Sequence, residues 1–295
     1  MTLWGEQFMK LGFIGFGEVA YEMATGLKKE GMSGIVAFDP MKDDPKIGKL
    51  VNERAESAGV HLYDTPIEVV QQADVIIAAV PGSKALQAAL DAASALDEQK
   101  IYIDVSTSSP KTKKKIAEIV HGQNASFVDA GLMGGLTLLQ HKVPAIVSGR
   151  GSDRFIQLMS PYHMSLQKVS DVPGDAIAIK LVRSIYMKGI ATLAVEMLET
   201  ASSLNVAPLV IESIADTMNS KPFEVMMNFL VNASAIHAER QAHEMTDVMG
   251  MMHEMGIEST MTKATKERLQ SLAAKNLKEK FQGKKPERWE EVIVG

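Results

Sequence analysis

Short apolar runs alternate with longer helical segments through the first 170 residues of the chain. Several of the apolar runs are rich in Val and Ile and end at Gly, Pro or Asp. The runs are LGFIGFG (11–17), GIVAFDP (34–40), ADVIIAAVP (73–81), IYIDVS (101–106), ASFVDAG (125–131) and PAIVSG (144–149). Runs of this length and composition are typical of buried strands. Because strands that alternate with helices form right-handed βαβ units, the pattern predicts an α/β domain built on a parallel sheet.

The pattern changes near Pro173-Gly174, after which no strand signal follows. Helical patterns then cover residues 175–204, 208–218, 222–254 and 259–280. We therefore predict an α/β domain over residues 1–170 and an all-α domain over residues 171–281. The tail, residues 282–295, is rich in Lys, Pro and Glu, and we interpret it as a loosely held arm or a dimer contact.

The composition excludes several classes of protein. Of 295 residues, 46% are hydrophobic and 23% are charged, and there is no cysteine, so disulfides, thiolate metal sites and a cysteine nucleophile are excluded. A formal charge of −5 without a basic block argues against nucleic-acid binding. No apolar run approaches the roughly 20 residues of a membrane span. The N-terminal residues 1–10 show no secretion signal, so we expect a cytoplasmic protein.

A glycine loop follows the first predicted strand, in the segment GFIGFGEVA (12–20). Gly15 allows a tight turn, Gly17 lets the backbone approach a pyrophosphate, and Ala20 allows a helix to pack closely on the strand. The free N–H groups at the start of that helix favour an anion. The loop therefore predicts a dinucleotide site, with a glycine turn that binds no cofactor as the alternative.

Asp39 ends the second predicted strand. A carboxylate about 20 residues beyond the glycine loop typically accepts hydrogen bonds from the adenosine ribose and repels a 2′-phosphate. This favours NAD, although the nearby Lys42 and Lys46 keep NADP possible. The alternative is that Asp39 only begins a turn before Pro40.

Four blocks of sequence, taken together, resemble the β-hydroxyacid dehydrogenase superfamily, which includes the 3-hydroxyisobutyrate and 6-phosphogluconate dehydrogenases. The blocks are residues 12–31, Val80-Pro81 followed by DVSTSSP (104–110), DAGLMGG (129–135), and GDAIAIK (174–180). The resemblance implies a Rossmann-type dinucleotide-binding domain followed by a helical domain, a nicotinamide dinucleotide as cofactor, a small anionic substrate and a homodimer. The segment KLVRSIYMKG (180–189) resembles a less characterised branch with its own helical C-terminal domain.

The resemblance and the loop chemistry together assign roles to individual residues. The expected cofactor contacts share the glycine loop and the ends of the predicted strands: Gly12, Gly15, Phe16, Gly17, Glu18, Val19, Asp39, Val80, Pro81 and Ser106. Lys180 is expected to be the general acid and base, with Ser184 bonded to the reacting hydroxyl. The expected substrate contacts are Ser106, Met133, Gly134, Gly135, Arg183, Lys188, Arg240 and His243.

Lys180, Ser184 and Lys188 stand at i, i+4 and i+8, so they share one face of the predicted helix, with Arg183 beside it. Cations so close to one another repel, and a bound anion would relieve the repulsion. The alternative for these side chains is a solvated helix surface. For Ser106 the alternative is a capping turn before Pro110, and no metal site is expected.

Departures from the family pattern limit what can be said about the substrate. Met133 replaces the serine that usually holds the substrate carboxylate, and Gly131 replaces a proline. Met187 stands where the 6-phosphogluconate enzymes have a glutamate acid. We therefore expect hydride transfer between a nicotinamide and an anionic alcohol without decarboxylation. An imine or opine-type reductase and a dinucleotide sensor without turnover are the alternatives.

Overall fold

The computed structural model describes residues 9–293 and divides the chain into two compact units. The first unit extends to Arg183 and the second begins at Ser184. The N-terminal segment, in which the sequence predicts no secretion signal, lies outside the described residues up to position 8.

The first unit is built on an eight-stranded sheet with the order β3-β2-β1-β4-β5-β6-β7-β8 in the described part of the chain. The strands are β1 (Leu11–Ile14), β2 (Ile35–Phe38), β3 (His61–Tyr63), β4 (Val75–Ala78), β5 (Ile101–Asp104), β6 (Ser126–Leu132), β7 (Ala145–Ser148) and β8 (Leu166–Ser170). The pairs from β3 to β6 are parallel, whereas β7 runs antiparallel to β6. The predicted α/β fold on a mostly parallel sheet is confirmed.

Helices cover both faces of this sheet. They are α1 (Glu18–Lys29), α2 (Gly48–Ala58), α3 (Pro66–Gln72), α4 (Ala85–Ala92), α5 (Pro110–His121), α6 (Leu136–Leu139) and α7 (Ser152–Met159). Successive residues of β4 point to opposite faces, so Ile77 joins the core under α1 while Ile76 joins the core under α4. Because the central strands are buried on both faces, their sequences are continuous apolar runs.

Local sequence signals explain where several helices begin. At α3, Thr65 and Glu68 form a reciprocal capping box, and Pro66 occupies the first turn. At α5, the Ser109 side chain accepts a hydrogen bond from the N–H of Thr112, and Pro110 follows it. The start of α5 matters for the site because it fixes the turn that leaves β5.

A long helix, α8 (Asp175–Ser203), begins in the first unit and continues into the second. The second unit then contains α9 (Ala207–Met218), α10 (Phe223–Glu254), α11 (Thr260–Ala273), α12 (Leu277–Lys280) and α13 (Trp289–Ile293). The first turn of α8 belongs to the first unit because Ala176 and Ile177 are fully buried there. The boundary between the two units therefore lies after Arg183, beyond the predicted boundary at residue 170. The functions predicted for the two domains stay predictions.

Three details of the sequence interpretation are corrected. The strands β3 and β8 were not predicted, because both are short and only partly buried. The helix predicted over residues 259–280 is interrupted before α12, where Asn276 adopts a left-handed conformation with φ of 52°. The tail is not a loosely held arm up to Ile293, because Val292 is buried in a small cluster with Ala235 and Leu277.

Within residues 9–293, no helix combines the length and the apolar character needed to cross a membrane.

A buried carboxylate fixes α11 in the second unit. Glu196, on α8, is only 7% exposed, and it accepts hydrogen bonds from the N–H groups of Met261 and Thr262 and from the Thr262 hydroxyl. These are first-turn donors of α11, which have no partner within their own helix. Burial acts to raise the pKa of Glu196, but the hydrogen bonds from Thr262 and Met261 outweigh it and hold the pKa below its ordinary value.

We predict that Glu196→Gln lowers the free energy of unfolding by about 1–3 kcal/mol at neutral pH, because the amide retains one acceptor oxygen instead of two. Since the folded pKa is lowered, the contribution of Glu196 is complete above the ordinary carboxyl pKa and is lost as the pH falls through the folded pKa. Urea unfolding at neutral and acidic pH measures this. The exposed Glu199→Gln is the matched control, and equal effects of the two variants would contradict the prediction.

Candidate functional site

The glycine loop lies at the carboxyl end of β1, where the strand order reverses. On one side of β1 the sheet continues through β2 and β3, and on the other side through β4 and β5. In open α/β sheets, ligands bind at this topological switch point. Gly17 is the residue before α1, so the free N–H groups of that helix face the same edge of the sheet.

Gly15 and Gly17 are glycines for two different reasons. Gly15 has a φ of 86°, and a Cβ atom there would lie 2.6 Å from the carbonyl oxygen of Ala79. Gly17 has an ordinary φ of −76°, and a Cβ atom there would meet nothing within 4 Å. Gly15 is therefore required by the fold, whereas Gly17 leaves open space in front of α1. That space fits a pyrophosphate group that approaches the backbone closely.

Asp39 is held in place by main-chain donors. Its carboxylate is 8% exposed, and its two oxygens accept hydrogen bonds from the N–H of Phe16 at 2.7 Å and the N–H of Met41 at 2.8 Å. The bond to Phe16 joins the end of β2 to the glycine loop. Because each carboxylate oxygen can accept a second hydrogen bond, Asp39 keeps capacity for a ligand hydroxyl.

The other predicted cofactor residues lie along the same edge, except for Gly12. Glu18 and Val19 lie in the first turn of α1, and Val80 and Pro81 follow β4. Gly12 lies within β1, where a Cβ atom would overlap Val69 and Ala73, so it has a packing reason to be glycine. The ring of Phe16 is fully buried and contacts Phe13 edge to face at 6.2 Å, so the side chain belongs to the core, while the main chain of Phe16 lies in the glycine loop.

The turn after β5 meets the first part of α8. The Lys180 ammonium donates a hydrogen bond to the Thr107 hydroxyl over 3.1 Å. Ser106 is 4% exposed, and its hydroxyl has no hydrogen-bond partner within the described residues. A buried hydroxyl of this kind suits a polar ligand group. Sequence reasoning selected Ser106 and Lys180 as site residues, whereas it placed Thr107 in the same sequence block without assigning it a role.

The carboxyl end of β6 packs against the same part of α8. A Cβ atom at Gly131 would lie 3.4 Å from the Lys180 Cβ and 3.3 Å from the Ala176 carbonyl oxygen, so the glycine lets α8 pack closely on β6. The N–H of Met133 donates to the Pro144 carbonyl over 2.7 Å, and Met133 is half-buried. Gly134 and Gly135 are exposed.

The remaining predicted substrate residues lie further along the chain. Arg183 is exposed at the end of the first unit, and Ser184 and Lys188 follow on α8. On α10, Arg240 forms an ion pair with Glu244, and His243 is exposed. Their contribution to the site stays a prediction. Among residues 9–293, no three His, Asp or Glu side chains are grouped as a metal ion would require.

Two family models match the chain. The NAD-binding domain of 6-phosphogluconate dehydrogenase matches residues 10–162, and a domain of unknown function (DUF1932) matches residues 201–272. The first match covers more than half of the chain, so the chain belongs to the family of NAD(P)-dependent dehydrogenases that carry this NAD-binding domain. The predicted superfamily, the nicotinamide cofactor and the separate helical C-terminal domain are thereby confirmed.

Similar proteins agree with this assignment. An uncharacterized 28.5 kDa protein of Methanothermus fervidus is 26% identical over 88% of this chain and 96% of that protein. Mouse mitochondrial 3-hydroxyisobutyrate dehydrogenase is 27% identical over 66% of this chain and 56% of the enzyme, so the match spans just over half of its length. A reductive aminase from Aspergillus terreus in complex with NADPH superposes with a TM-score of 0.72 over 97% of this chain and 98% of that chain. At 17% identity, this shows the fold alone.

We predict that Gly17→Ala retains the wild-type unfolding temperature but binds NADH about tenfold more weakly or worse, because its methyl group fills the open space before α1. Gly15→Ala is the contrasting variant. It should lose about 1–3 kcal/mol of stability, because a side chain is strained at its positive φ and overlaps the Ala79 carbonyl. Fluorescence titration and thermal unfolding measure both effects. A Gly17→Ala protein with wild-type NADH affinity would contradict the assignment of the loop.

Proposed function

We propose that the protein transfers hydride between NAD and a small anionic alcohol of the β-hydroxyacid type, without decarboxylation, and that Lys180 acts as the general acid and base. The observation that carries the proposal is the 3.1 Å contact between the Lys180 ammonium and the Thr107 hydroxyl. It joins the turn after β5 to α8 at the edge of the sheet that also carries the glycine loop.

A bound nicotinamide supplies the hydride acceptor for oxidation and the hydride donor for reduction. The residues of the chain handle the proton. In the oxidation direction, the neutral amine of Lys180 accepts the hydroxyl proton while the C–H bond of the carbinol carbon breaks and a carbonyl forms. In reduction, the Lys180 ammonium returns this proton to the forming alkoxide. Thr107 holds the lysine end in place, and the unpartnered Ser106 hydroxyl is available to bind the substrate or the cofactor.

An acidic group on the substrate would meet the cationic side chains of α8. Arg183 and Lys188 are exposed on this helix, and a carboxylate or phosphate would reduce their mutual repulsion. Ser184 is the proposed partner of the reacting hydroxyl, and Arg240 and His243 are proposed to add contacts from α10. Met187 carries no ionisable proton, which supports dehydrogenation without decarboxylation.

A second candidate is an imine or opine-type reductase. Met133 favours it, because a thioether offers no hydroxyl donor where a substrate carboxylate would bind. The likeness of the fold to a reductive aminase is compatible with either reaction. A dinucleotide sensor without turnover is the third candidate. Turnover of a panel of hydroxyacids and imines, monitored by the absorbance of the nicotinamide, distinguishes the three candidate functions.

We also propose a homodimer formed by the helical unit. Large apolar side chains are exposed on α9 and at the start of α10: Leu209, Ile211, Ile214, Phe223 and Val225. Exposed apolar surface of this extent is typical of an interaction site. The cytoplasmic location stays a prediction.

We predict that Lys180→Met lowers kcat by about 10²–10⁴-fold, because it removes the group that exchanges the proton. The affinity for NADH should change little, since the glycine loop and Asp39 are intact. Steady-state kinetics with the best substrate of the panel, together with an NADH titration, measure the two effects. Lys115→Met, an exposed lysine on α5, is the control. Wild-type turnover in Lys180→Met would contradict the proposed role of Lys180 in proton transfer.

We predict that the wild-type protein binds NADH about tenfold more tightly than NADPH or better, because the carboxylate of Asp39 repels a 2′-phosphate. Asp39→Asn removes this charge and should bring the ratio of the NADPH and NADH dissociation constants closer to one. Asp43→Asn removes an exposed carboxylate four residues away and serves as the control. A preference for NADPH, or a ratio that Asp39→Asn leaves unchanged, would contradict this origin of the selectivity.

A further inference from the structure

Lys113 is a fully buried charge on the sheet-facing side of α5. It shares that side with Ile116, Ala117 and Val120, and its exposure is 0%. Its ammonium lies 3.1 Å from Asp104 Oδ2, 3.0 Å from Asp129 Oδ1 and 2.7 Å from the Asp104 carbonyl oxygen. The ammonium therefore forms ion pairs with both carboxylates and donates a hydrogen bond to the Asp104 carbonyl oxygen.

The two carboxylates need this cation because of the register of the sheet. Asp104 ends β5 and Asp129 lies in β6, and the two residues are direct partners across the parallel pair. Both are fully buried. Like charges directly opposite each other destabilise a sheet, and removing one member of a buried charge cluster leaves the others uncompensated. Lys113 compensates this pair.

The remaining oxygens of the two carboxylates reach two different segments of the site. Asp104 Oδ1 accepts a hydrogen bond from the N–H of Ser106 over 2.8 Å. Asp129 Oδ2 accepts one from the N–H of Ile177 over 3.0 Å, in the first turn of α8. A buried chain of ion pairs and hydrogen bonds therefore runs from the turn after β5, through Lys113, to the start of α8.

Contacts of Ser148 and Lys180 strengthen this connection. The Ser148 hydroxyl lies 3.4 Å from Asp129 Oδ2 and accepts a hydrogen bond from the N–H of Ala176 over 3.1 Å. At the surface, the contact between Lys180 and Thr107 joins α8 to the turn after β5 a second time. The positive end of the α8 dipole faces the carboxylate of Asp129, which favours its negative charge.

We propose that Lys113 is a positioning residue of the site. It acts through Asp104 and Asp129 to hold the Ser106–Thr107 turn against α8, so that the Lys180 ammonium keeps its contact with Thr107. The stability of the fold alone does not explain a buried lysine at this position. Buried ion pairs are often no more stabilising than apolar residues of similar size. The proposal rests on the proposed function only in that Lys180 is the group that exchanges the proton.

The first experiment compares Lys113→Met with Lys114→Met, which replaces the exposed lysine next to it. The readout is the pH profile of Lys180 acylation in the full chain, measured by mass spectrometry. Lys113→Met should release the turn from α8. The acylation of Lys180 should then be about threefold faster or more, and the pH dependence of its rate should shift. Lys114→Met should match the wild type. A folded Lys113→Met protein with the wild-type profile would overturn the proposal.

A second variant covers the case in which Lys113→Met does not fold. Ser148→Ala removes one neutral hydroxyl from the same connection and leaves all three charges in place. It should increase hydrogen exchange at the amides of Ala176 and Ile177 about tenfold and shift the Lys180 profile in the same direction. The amides of β1 should be unaffected. A Ser148→Ala protein with wild-type exchange and a wild-type Lys180 profile would also overturn the proposal.

Turnover provides a further readout. In Lys113→Met, kcat should fall while the NADH dissociation constant stays close to wild type, because the glycine loop and Asp39 are not part of the connection. If the wild-type protein turns over no member of the substrate panel, the proposed function fails. The Lys180 profile and the hydrogen exchange then still decide whether Lys113 positions the turn and α8.

Discussion

Parallel hydrogen bonding at the centre of the sheet places three segments of the candidate site at one edge. The register places Ile14, Ala78, Asp104 and Asp129 in one row across β1, β4, β5 and β6. The glycine loop begins immediately after Ile14, the segment with Val80 and Pro81 after Ala78, and the turn with Ser106 after Asp104. Because parallel strands end at the same edge, the strand pairing alone brings these three segments, which are far apart in the chain, to one edge of the sheet.

The same register creates an electrostatic problem, which the structure meets with a buried cation. Two carboxylates face each other at Asp104 and Asp129, and α5 supplies Lys113 between them. The carboxylates then accept main-chain hydrogen bonds from the turn after β5 and from the first turn of α8. A cluster of buried charges is thereby converted into a connection between two segments that carry chemistry. A buried network of paired charges restrains the segments that it joins, which suits the proposed role of Lys180, whose side chain is long and flexible.

The sequence predicts those features whose signal is local. Gly15 and Gly17 stand in an unbroken strand–loop–helix pattern, and Lys180 stands in a motif that extends along one helix, so all three were selected as candidates. Thr107 and Lys113 were not selected, because their roles depend on which strands are neighbours in the sheet. A usable signal for Lys113 did exist, since a lysine that shares a helix face with Ile116, Ala117 and Val120 must bury its charge. The strands β3 and β8 were missed because short, half-exposed segments lack a clear hydrophobic period.

The central claim is that Lys180 and the dinucleotide meet at one edge of the sheet, and one measurement tests it without knowledge of the substrate. The rate of Lys180 acylation in the wild-type protein is measured by mass spectrometry with and without saturating NADH. The account predicts that NADH slows the acylation of Lys180 several-fold, while the exposed Lys114 and Lys115 on α5 react at unchanged rates. An unchanged rate at Lys180, with NADH shown to be bound, would contradict the account, because the lysine would then lie away from the reacting nicotinamide.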